Sequence, residues 1–551
     1  MRKIVISLFL LSIFAVTFSQ QANQKSNNGS TLNRPKLVIG MVVDQMRWDY
    51  LYRYYSRFRN DGGFKRLLKD GFSCDNTLIP YVPTYTACGH SCIYTGSVPA
   101  ITGIISNIWW DKNLNKNINS TQDDSVKTVG SNTELGQMSP RRLQVTTICD
   151  ELKLATNFHS KVFGIALKDR SSILPAGHSA DAAYWYDLKT GDWITSTYYL
   201  KDLPRWVKDF NSKKLVDKYY GNDWNTLYPL NTYSESTTDE KSYESKPFGV
   251  KGFPYNLKQY AGKNYGMISS TPYGNTFTLD LARSGIEAEK LGADSITDFL
   301  AISLSTPDYI GHAFGPNSVE AEDGYLRLDR DLGDFLHFLD EKIGVGQYLF
   351  FLTADHGVSQ APGFLKEHKI PSGNISPQQM ITKINKGLKT KFGVDSMVIN
   401  ISNYQVFINH QLMNSGKEHI DEKDVRKWIV DYLLQQPGIS MAVETDHISE
   451  TTLPTPIKQA ITNGYNQQLS GDIQYIPNPQ WVDGFEQGGT SHGSWNPYDA
   501  HIPLLWFGWN ISAGKTNRGM QMTDIAPTLA ALLHIQVPGG SIGHVIEEVI
   551  K

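Results

Sequence analysis

Residues 348–357 read Tyr-Leu-Phe-Phe-Leu-Thr-Ala-Asp-His-Gly, an apolar run that passes directly into an aspartate, a histidine and a glycine. A short apolar run without polar alternation is typical of a strand that is buried on both faces of a parallel sheet. Residues 36–43, 161–167 and 299–304 follow the same pattern, and each run also passes into polar residues. Helical spacing of apolar residues over 319–343 lies between two of these predicted strands. The sequence therefore predicts an α/β fold with a mostly parallel central sheet flanked by helices.

Composition limits the class of protein. The chain has 551 residues, 40% hydrophobic and 19% charged, which excludes disorder, collagen-like repeats and coiled coil. Its formal net charge is −3, without a basic patch, so nucleic acid is not expected as a partner. Two stretches rich in Tyr, Trp and Asn, at about 109–144 and 184–267, are predicted to be inserted cap loops. A third stretch, at about 368–479, mixes helix and strand signals and is predicted to be a small α+β subdomain.

The N-terminus predicts export. Arg2 and Lys3 precede an apolar run over 4–16 and then polar residues, which is the pattern of a secretory signal peptide. The run is shorter than the ~20 apolar residues of a membrane span, and a retained N-terminal helix is the alternative. We expect residues 1–20 to be the signal peptide, 21–34 a polar linker and 35–551 the catalytic domain with its three insertions. The mature protein is then periplasmic or secreted and not in the membrane.

The chain has four cysteines: Cys74, Cys88, Cys92 and Cys149. An exported chain can form disulfides, but so few cysteines in so long a chain do not make a disulfide scaffold. Buried thiols and a single disulfide are both compatible with the sequence. Cys88 and Cys92 have no second pair that would complete a metal-binding pattern.

Aspartates and histidines follow the predicted strands, at the sheet edge where α/β proteins bind ligands. Each could be structural by itself, since a lone aspartate after a strand is usually a helix N-cap. Together they suit Zn²⁺, which accepts imidazole nitrogen and carboxylate oxygen. Six ligands are too many for one tetrahedral ion, and they suit two ions that clamp an in-line displacement. The predicted ligands are Asp44, Asp308, His312, Asp355, His356 and His492.

A threonine nucleophile is suggested by residues 83–90, Pro-Thr-Tyr-Thr-Ala-Cys-Gly-His, which precede a helical-looking segment. A hydroxyl at a helix start lies where backbone N–H groups favour a phosphoryl group. Alternatively, Thr84 or Thr86 simply caps that helix, and spacing alone leaves both interpretations open. A late helix is predicted over 523–533, with Thr523 as its N-cap.

Residues 86–90, followed by Thr95-Gly96 and then by Gly-Ile-Ile-Ser-Asn at 103–107, resemble the alkaline phosphatase superfamily. The resemblance is to the branch shared with nucleotide pyrophosphatase/phosphodiesterases. It implies that Thr86 is the nucleophile and that Asn107 binds a non-bridging phosphate oxygen. It also implies one zinc held by Asp308, His312 and His492, and a second held by Asp44, Thr86, Asp355 and His356. Cys88-Gly89 stands where diesterases usually have Pro-Asn, which we interpret as a difference in packing.

The substrate class depends on Lys168 and Arg170, which follow the run 161–167. Two cations at this edge could bind the extra negative charge that a phosphate monoester has and a diester lacks. A solvated or salt-bridged strand end is the alternative. A Lys-x-Arg at this place resembles the PafA-type periplasmic alkaline phosphatases, which are monoesterases.

The sequence therefore predicts a zinc-dependent phosphomonoesterase, an alkaline phosphatase that releases inorganic phosphate from small monoesters through a phosphothreonine intermediate. A phosphodiesterase or nucleotide pyrophosphatase on the same fold is the alternative. A sulfatase fits less well because Cys88 lacks the proline and arginine of a formylglycine motif. An exported binding protein without turnover is disfavoured by Thr86 and the complete ligand set. The physiological monoester stays open, as does the oligomeric state, for which a monomer is favoured.

Overall fold

The long apolar runs form the middle of the central sheet in the computed structural model, which describes residues 33–413, 420–484 and 488–550. Strand Leu37–Val43 pairs in parallel with Asp298–Leu304 on one side and with Tyr348–Thr353 on the other. Asp298–Leu304 also pairs in parallel with Val162–Ala166. Every residue of these four strands is buried. The prediction of a mostly parallel sheet with buried strands is confirmed.

Ten strands make up this sheet. Antiparallel partners appear toward its edges, where Leu504–Gly508 runs against Tyr348–Thr353 and Asp192–Ser196 runs against Ala182–Asp187. In spatial order the strands are Gly514–Thr516, Phe72–Cys74, Leu504–Gly508, Tyr348–Thr353, Leu37–Val43, Asp298–Leu304, Val162–Ala166, Ala182–Asp187, Asp192–Ser196 and Thr128–Val129.

Helices of very different lengths connect and cover the strands. The α-helices are Tyr50–Arg53, Gly63–Asp70, Thr86–Thr95, Pro99–Thr102, Ile148–Ala155, Asp169–Ala176, Arg205–Ser212, Leu215–Tyr220, Tyr273–Glu289, Thr306–Phe314, Val319–Lys342, Pro362–Glu367, Pro377–Phe392, His410–Met413, Glu422–Leu434, Thr455–Gly464, Pro497–Ala500 and Ile525–Leu533. Short 3-10 turns are Glu134–Gly136, Leu230–Thr232, Lys258–Tyr260, Tyr265–Ser270, Thr445–Glu450 and Met522–Asp524. The N-cap position of the late helix is Asp524, whose side chain makes no capping hydrogen bond. The expectation that Thr523 caps it is wrong, because Thr523 lies within the preceding 3-10 turn.

A smaller α+β unit lies within the stretch 368–479. Its antiparallel sheet has the order Val398–Ser402, Gln405–Ile408, Ile473–Pro477 and Ile439–Glu444. The helices Pro377–Phe392 and Glu422–Leu434 pack on this sheet around a separate apolar core that includes Ile384, Val425 and Ile429. The chain therefore has a second core beside the main one.

The remaining strands are short and lie outside these two sheets. They are Thr77–Leu78, Ile108–Asp111, Lys116–Asn119, Gly373–Ile375, Trp481–Asp483, His501–Ile502 and Met520–Gln521. The aromatic-rich stretch 184–267 is predicted to form loops. Its first part instead belongs to two strands of the central sheet, Ala182–Asp187 and Asp192–Ser196, and the rest consists of short helices and turns. Strand Ala182–Asp187 is wholly buried, which accounts for its aromatic residues.

Residues Pro35–Lys551 make one compact unit. The predicted signal peptide over 1–20 and nearly all of the predicted linker over 21–34 lie outside the described residues. Among the described helices, none has the length and apolar character that crossing a membrane requires. The four cysteines are all buried and unpaired, so of the two possibilities left open by the sequence the structure has the free thiols.

Candidate active site

Three aspartates meet where three neighbouring parallel strands end. Asp44 follows strand Leu37–Val43 directly, and Asp355 follows Tyr348–Thr353 by two residues. Asp308 lies in the first turn of the helix that begins at Thr306, just after strand Asp298–Leu304. All three side chains are buried. The sheet topology thus concentrates carboxylates at one point of its carboxyl edge, as expected from the sequence.

The three histidines predicted as ligands are oriented in the same way. Nδ1–H of His312 donates to the Thr490 carbonyl, and Nδ1–H of His492 donates to the Thr84 carbonyl, each at 2.7 Å. Nδ1–H of His356 donates to the Gly357 carbonyl at 2.9 Å. A carbonyl can only accept, so each ring carries its proton on Nδ1 and aims Nε2 at the carboxylates. This is the arrangement of metal-binding imidazoles, whose second nitrogen is held by a neighbouring acceptor.

The predicted ligand atoms form two adjoining groups. Those of Asp44, Asp355 and His356 lie within 4.8 Å of one another, and so do those of Asp308, His356 and His492. His312 Nε2 lies 3.2 Å from Asp308 Oδ1, which attaches it to the second group. The rings of His356 and His492 are stacked, with centroids 3.6 Å apart. The structure therefore brings all six predicted aspartate and histidine ligands together.

The donor set fits divalent cations. Asp44 Oδ1 and Asp355 Oδ2 are buried and have no hydrogen-bond partner. His356 Nε2 faces both oxygens, at 3.6 and 3.4 Å. Buried carboxylate oxygens without a partner are costly unless a cation compensates them. Mixed carboxylate and imidazole donors are those that Zn²⁺ accepts.

Lys168 lies between the two groups. Its Nζ donates to Asp44 Oδ2 at 2.7 Å and to Asp308 Oδ2 at 2.6 Å, and its side chain is buried. The site therefore has three buried aspartates and one lysine ammonium, which is bonded to two of them. Arg170 is less enclosed, and its guanidinium lies 3.6 Å from Asp169.

Burial and neighbouring charges raise the pKa of Asp44, whereas neighbouring charges lower the pKa of Asp308. Burial, reinforced by the Asp355 carboxylate, raises the pKa of Asp44 well above its usual range. Burial acts in the same direction on Asp308, but Lys168, His312 and His492 together outweigh it and hold the pKa of that carboxyl well below its usual range. Burial, together with the neighbouring His356, lowers the pKa of His492 far below that of an exposed histidine. A neutral His492 keeps a lone pair on Nε2, as a metal ligand requires.

Thr86 is the first residue of the helix Thr86–Thr95, and Thr84 lies outside it. Its Oγ1 is 3.4 Å from His356 Nε2, whereas Thr84 Oγ1 donates to the Ser494 carbonyl. Neither threonine caps the helix, because the N-cap is Tyr85 and has no side-chain cap. The capping alternative is therefore wrong for both. Thr86 presents its hydroxyl beside the ligand groups, at the positive end of a helix dipole.

Asn107 is held beside the same helix start. Its Oδ1 accepts a hydrogen bond from the Ala87 backbone N–H at 2.8 Å. This contact directs the side-chain amide of Asn107 to the residue next to Thr86. Asn107 therefore lies beside the start of the helix that carries Thr86.

Two residues of the site have no role in the sequence-based prediction. His90 donates from Nδ1 to the Thr86 carbonyl at 2.8 Å, one helical turn below the hydroxyl. Gln45 donates from its backbone N–H to Asp355 Oδ1 and from Nε2 to Asp308 Oδ1, at 3.1 and 2.7 Å. Helical spacing from Thr86 could have identified His90. Gln45 has no sequence signal beyond its position after Asp44.

Comparison with known proteins finds relatives that match nearly the whole chain. The family model described as type I phosphodiesterase / nucleotide pyrophosphatase matches residues 38–499. Alkaline phosphatase PhoV of Synechococcus elongatus is 51% identical over 99% of this chain and 100% of its own length. A protein of Myroides odoratus named calcium-transporting ATPase is 53% identical over 94% of this chain and 95% of its own length.

Alkaline phosphatase PafA of Elizabethkingia meningoseptica is 49% identical over 98% of both chains. A crystal structure of wild-type alkaline phosphatase PafA is similar to this structure with a TM-score of 0.92 at 49% identity. That similarity covers 94% of this chain and 100% of the PafA chain.

Proposed function

The chain belongs to the type I phosphodiesterase / nucleotide pyrophosphatase family and, within it, to the PafA-type alkaline phosphatases; on this premise we propose how its site works. The protein is a phosphoric monoester hydrolase, as its likeness to PhoV and PafA over almost the whole chain indicates. The observation that carries the proposed mechanism is the Thr86 hydroxyl, which lies at a helix start and 3.4 Å from His356 Nε2.

Two zinc ions are the proposed cofactors. Asp44, Asp355 and His356 would hold one together with the Thr86 hydroxyl, and Asp308, His312 and His492 would hold the other. Bound zinc lowers the pKa of a coordinated hydroxyl and stabilises the charge that develops on a leaving oxygen. The two partnerless carboxylate oxygens and the uniform orientation of the three imidazoles support this assignment.

The proposed reaction has two steps, in which different side chains of this protein take part. Thr86 Oγ1 attacks phosphorus and releases its proton to solvent, the bond between phosphorus and the leaving oxygen breaks, that oxygen takes up a proton, and a phosphothreonine forms. Water then attacks phosphorus in line with the Oγ1–P bond and releases a proton, the Oγ1–P bond breaks, Oγ1 takes up a proton, and inorganic phosphate leaves. His90 keeps the Thr86 carbonyl in place during both steps. Asn107, Lys168 and Arg170 would bind the non-bridging oxygens, where the charge of the transition state is located.

Lys168 and Arg170 support monoesters as the substrate class. A monoester dianion has one more negative charge than a diester, and two cations near the site can compensate it. Lys168 is buried, where its charge acts at short range and low dielectric. In the structure both cations are paired with carboxylates, Lys168 with Asp44 and Asp308 and Arg170 with Asp169, so a bound monoester would have to replace some of these partners.

Replacing Thr86 with alanine tests the nucleophile. We expect Thr86→Ala to lose turnover of an aryl phosphate monoester and to retain most of its zinc, because the aspartates and histidines stay in place. Thr86→Ser is the matched control, since it keeps a hydroxyl at the same position and should keep measurable turnover. Initial rates and metal content are measured on the same samples. Full activity of Thr86→Ala would refute the assignment.

The substrate class is tested by Lys168→Ala combined with Arg170→Ala. We expect kcat/KM for an aryl monoester to fall at least tenfold more than kcat/KM for the matching diester, because only the monoester has the extra charge to lose. Exposed Lys189→Ala combined with exposed Lys201→Ala controls for the loss of two positive charges. Zinc content is measured as well, because Lys168 contacts two predicted ligands. An equal loss for both esters would show that these cations do not distinguish them.

The proposed organisation of the whole chain is a signal peptide over 1–20, a linker over 21–34 and a catalytic domain over 35–551. Its insertions are at about 109–144, 184–267 and 368–479. Export to the periplasm or the medium follows from the signal sequence. The mass of the mature protein purified from a Gram-negative host tests this, since cleavage near residue 20 removes a defined fragment. A mature chain that still begins at Met1 would contradict it.

A further inference from the structure

The hairpin that joins strands Val398–Ser402 and Gln405–Ile408 of the α+β unit turns at Asn403 and Tyr404. Both residues have left-handed backbone conformations, with φ of 58° and 60°. Asparagine tolerates this conformation, but a bulky residue such as tyrosine adopts it only where its surroundings impose it. Tyr404 is 3% exposed. The turn is therefore a conformation that other parts of the molecule hold in place.

The side chain of Asn403 is hydrogen-bonded to the residues before and after Asn107 in the sequence. Ser106 Oγ donates to Asn403 Oδ1 at 2.7 Å, and Asn403 Nδ2 donates to the Ile108 carbonyl at 2.9 Å. Residues 103–107 form neither helix nor strand, and the Asn107 carbonyl at the end of this segment accepts from the Ser120 N–H at 3.0 Å. Asn107 itself accepts from the Ala87 N–H at the start of the nucleophile helix. The Asn403 side chain thus holds the segment that carries Asn107.

Tyr404 contacts the backbone of His492, one of the predicted metal ligands. Its hydroxyl donates to the His492 carbonyl at 3.2 Å. The next residue, Gly493, has φ of 123°, and a Cβ there would lie 2.9 Å from Tyr404 Cε2. The rings of Tyr404 and Tyr85 therefore share the space that the missing side chain of Gly493 leaves. Contact with the loop and the hydroxyl bond together fix the backbone from which the His492 imidazole projects.

We propose that the Asn403–Tyr404 turn is a positioning element of the active site: Asn403 acts through Asn107, and Tyr404 acts through His492. The inference rests on the proposed roles of these two residues. It assigns a function to a turn of the α+β unit, which has its own core and also packs against Val82. Catalytic groups require placement by supporting contacts, and a small displacement of a binding group lowers the rate strongly.

The Asn403 arm is tested with Asn403→Gly, which keeps the left-handed conformation available and removes both side-chain hydrogen bonds. We expect kcat/KM for an aryl monoester to fall about tenfold, with an unchanged thermal unfolding midpoint. A double-mutant cycle with Asn107→Ala supplies the readout that a merely structural role would not move. In the Asn107→Ala background, Asn403→Gly should change kcat/KM less than twofold. The same tenfold loss in both backgrounds would overturn the inference.

The Tyr404 arm is tested with Tyr404→Phe against Tyr475→Phe. The two rings are neighbours at 5.6 Å and both are buried, but the Tyr475 hydroxyl has no hydrogen-bond partner in the described structure. We expect zinc to dissociate about tenfold faster from Tyr404→Phe than from wild type, and at the wild-type rate from Tyr475→Phe. Competition with a coloured chelator measures this without any substrate. Equal rates in the two variants would overturn the role of Tyr404.

These readouts are separate from the test of the proposed function. Turnover by wild type and its loss in Thr86→Ala decide whether the site is a phosphatase with a threonine nucleophile. Zinc dissociation from Tyr404→Phe and the coupling of Asn403 to Asn107 decide whether the turn positions it. An active wild type without either effect would refute the positioning role alone.

Discussion

A single glutamine connects the two groups of predicted metal ligands. Gln45 is buried, and its backbone has φ of 66°, an uncommon conformation for a residue other than glycine. This conformation lets its backbone N–H bond Asp355 while its side chain bonds Asp308. Gly311 leaves room for the Gln45 side chain, because a Cβ at position 311 would lie 1.8 Å from Gln45 Oε1. Gln45 thus fixes the orientation of one carboxylate from each group.

Shortening this side chain should weaken metal binding. Asparagine accepts the left-handed conformation but is one methylene too short to reach Asp308, so Gln45→Asn removes the side-chain bond with little backbone strain. Loss of such a supporting bond typically costs 10–100-fold in metal affinity. We expect a loss within about that range in a chelator competition titration with zinc. Gln259→Asn, on the exposed surface, is the control, and equal affinities of the two variants would contradict the expectation.

For individual residues, the sequence predicts the metal ligands but not the residues that hydrogen-bond to them and orient them. Asp44, Asp308 and Asp355 are identifiable because each lies shortly after the end of a recognisable strand, and parallel strands end at one edge. The contacts of Gln45 and the role of Lys168 as a bridge between carboxylates depend on residues more than 100 positions apart, as the 263 residues from Gln45 to Asp308 illustrate. No local pattern records such contacts.

The helix Thr86–Thr95 is the element on which the proposed chemistry depends. All ten of its residues are buried, although threonine, serine and histidine make up much of its sequence. It packs closely on the chain that carries Asp355, because a Cβ at Gly89 would lie 2.5 Å from both the Cβ and the backbone oxygen of Asp355. The glycine therefore sets the distance between the nucleophile and a predicted zinc ligand.

Adding one methyl group at this contact should push the helix away. We expect Gly89→Ala to lower the free energy of unfolding by about 1–3 kcal/mol, as overpacking does, and to reduce zinc affinity and turnover. Gly324→Ala is the matched control, since it also lies within a helix but meets only Ile310 Cδ1 at 3.5 Å. Alanine favours a helix interior by about 0.5–1 kcal/mol over glycine, so the control should be neutral or stabilised. Differential scanning calorimetry of both variants measures the contrast.

Elements with strong periodicity are predicted well, and those fixed by tertiary contacts are not. The helix expected over 319–343 is found as Val319–Lys342. The strands of 182–196 were missed, because aromatic residues that are buried between layers resemble an aromatic loop in composition. The hairpin turn at Asn403 and Tyr404 gives no signal either, since tyrosine is not a residue that favours such a turn.

At the scale of the whole molecule, two glutamates make stability depend on pH. Glu320 is fully buried at the start of the helix Val319–Lys342, and burial raises its pKa to about 8. Burial and the charge of Glu320 raise the pKa of Glu244 to about 9. The native state keeps these protons at a pH at which the unfolded chain, with an ordinary pKa near 4.5, has lost them. Stability is therefore lost as pH rises from about 5 to about 9.

Replacing Glu320 with glutamine should remove part of that loss. Glutamine is neutral at every pH and can still accept from the Tyr255 hydroxyl, which contacts Glu320. We expect the unfolding midpoint of Glu320→Gln to rise relative to wild type between pH 6 and pH 9, by about 2 °C. Exposed Glu450→Gln is the control and should follow the wild-type curve. A constant difference across this range would show that Glu320 does not titrate in the native state.

The buried, unpaired thiols have a practical consequence. No covalent cross-link between side chains has to form before the fold is complete, so neither an oxidant nor a thiol isomerase limits how the chain matures. A version starting after the predicted signal peptide should reach the same structure in a reducing cytoplasm and keep it in dithiothreitol. The availability of the metal, and not disulfide formation, would then decide at which stage of export the protein first becomes active.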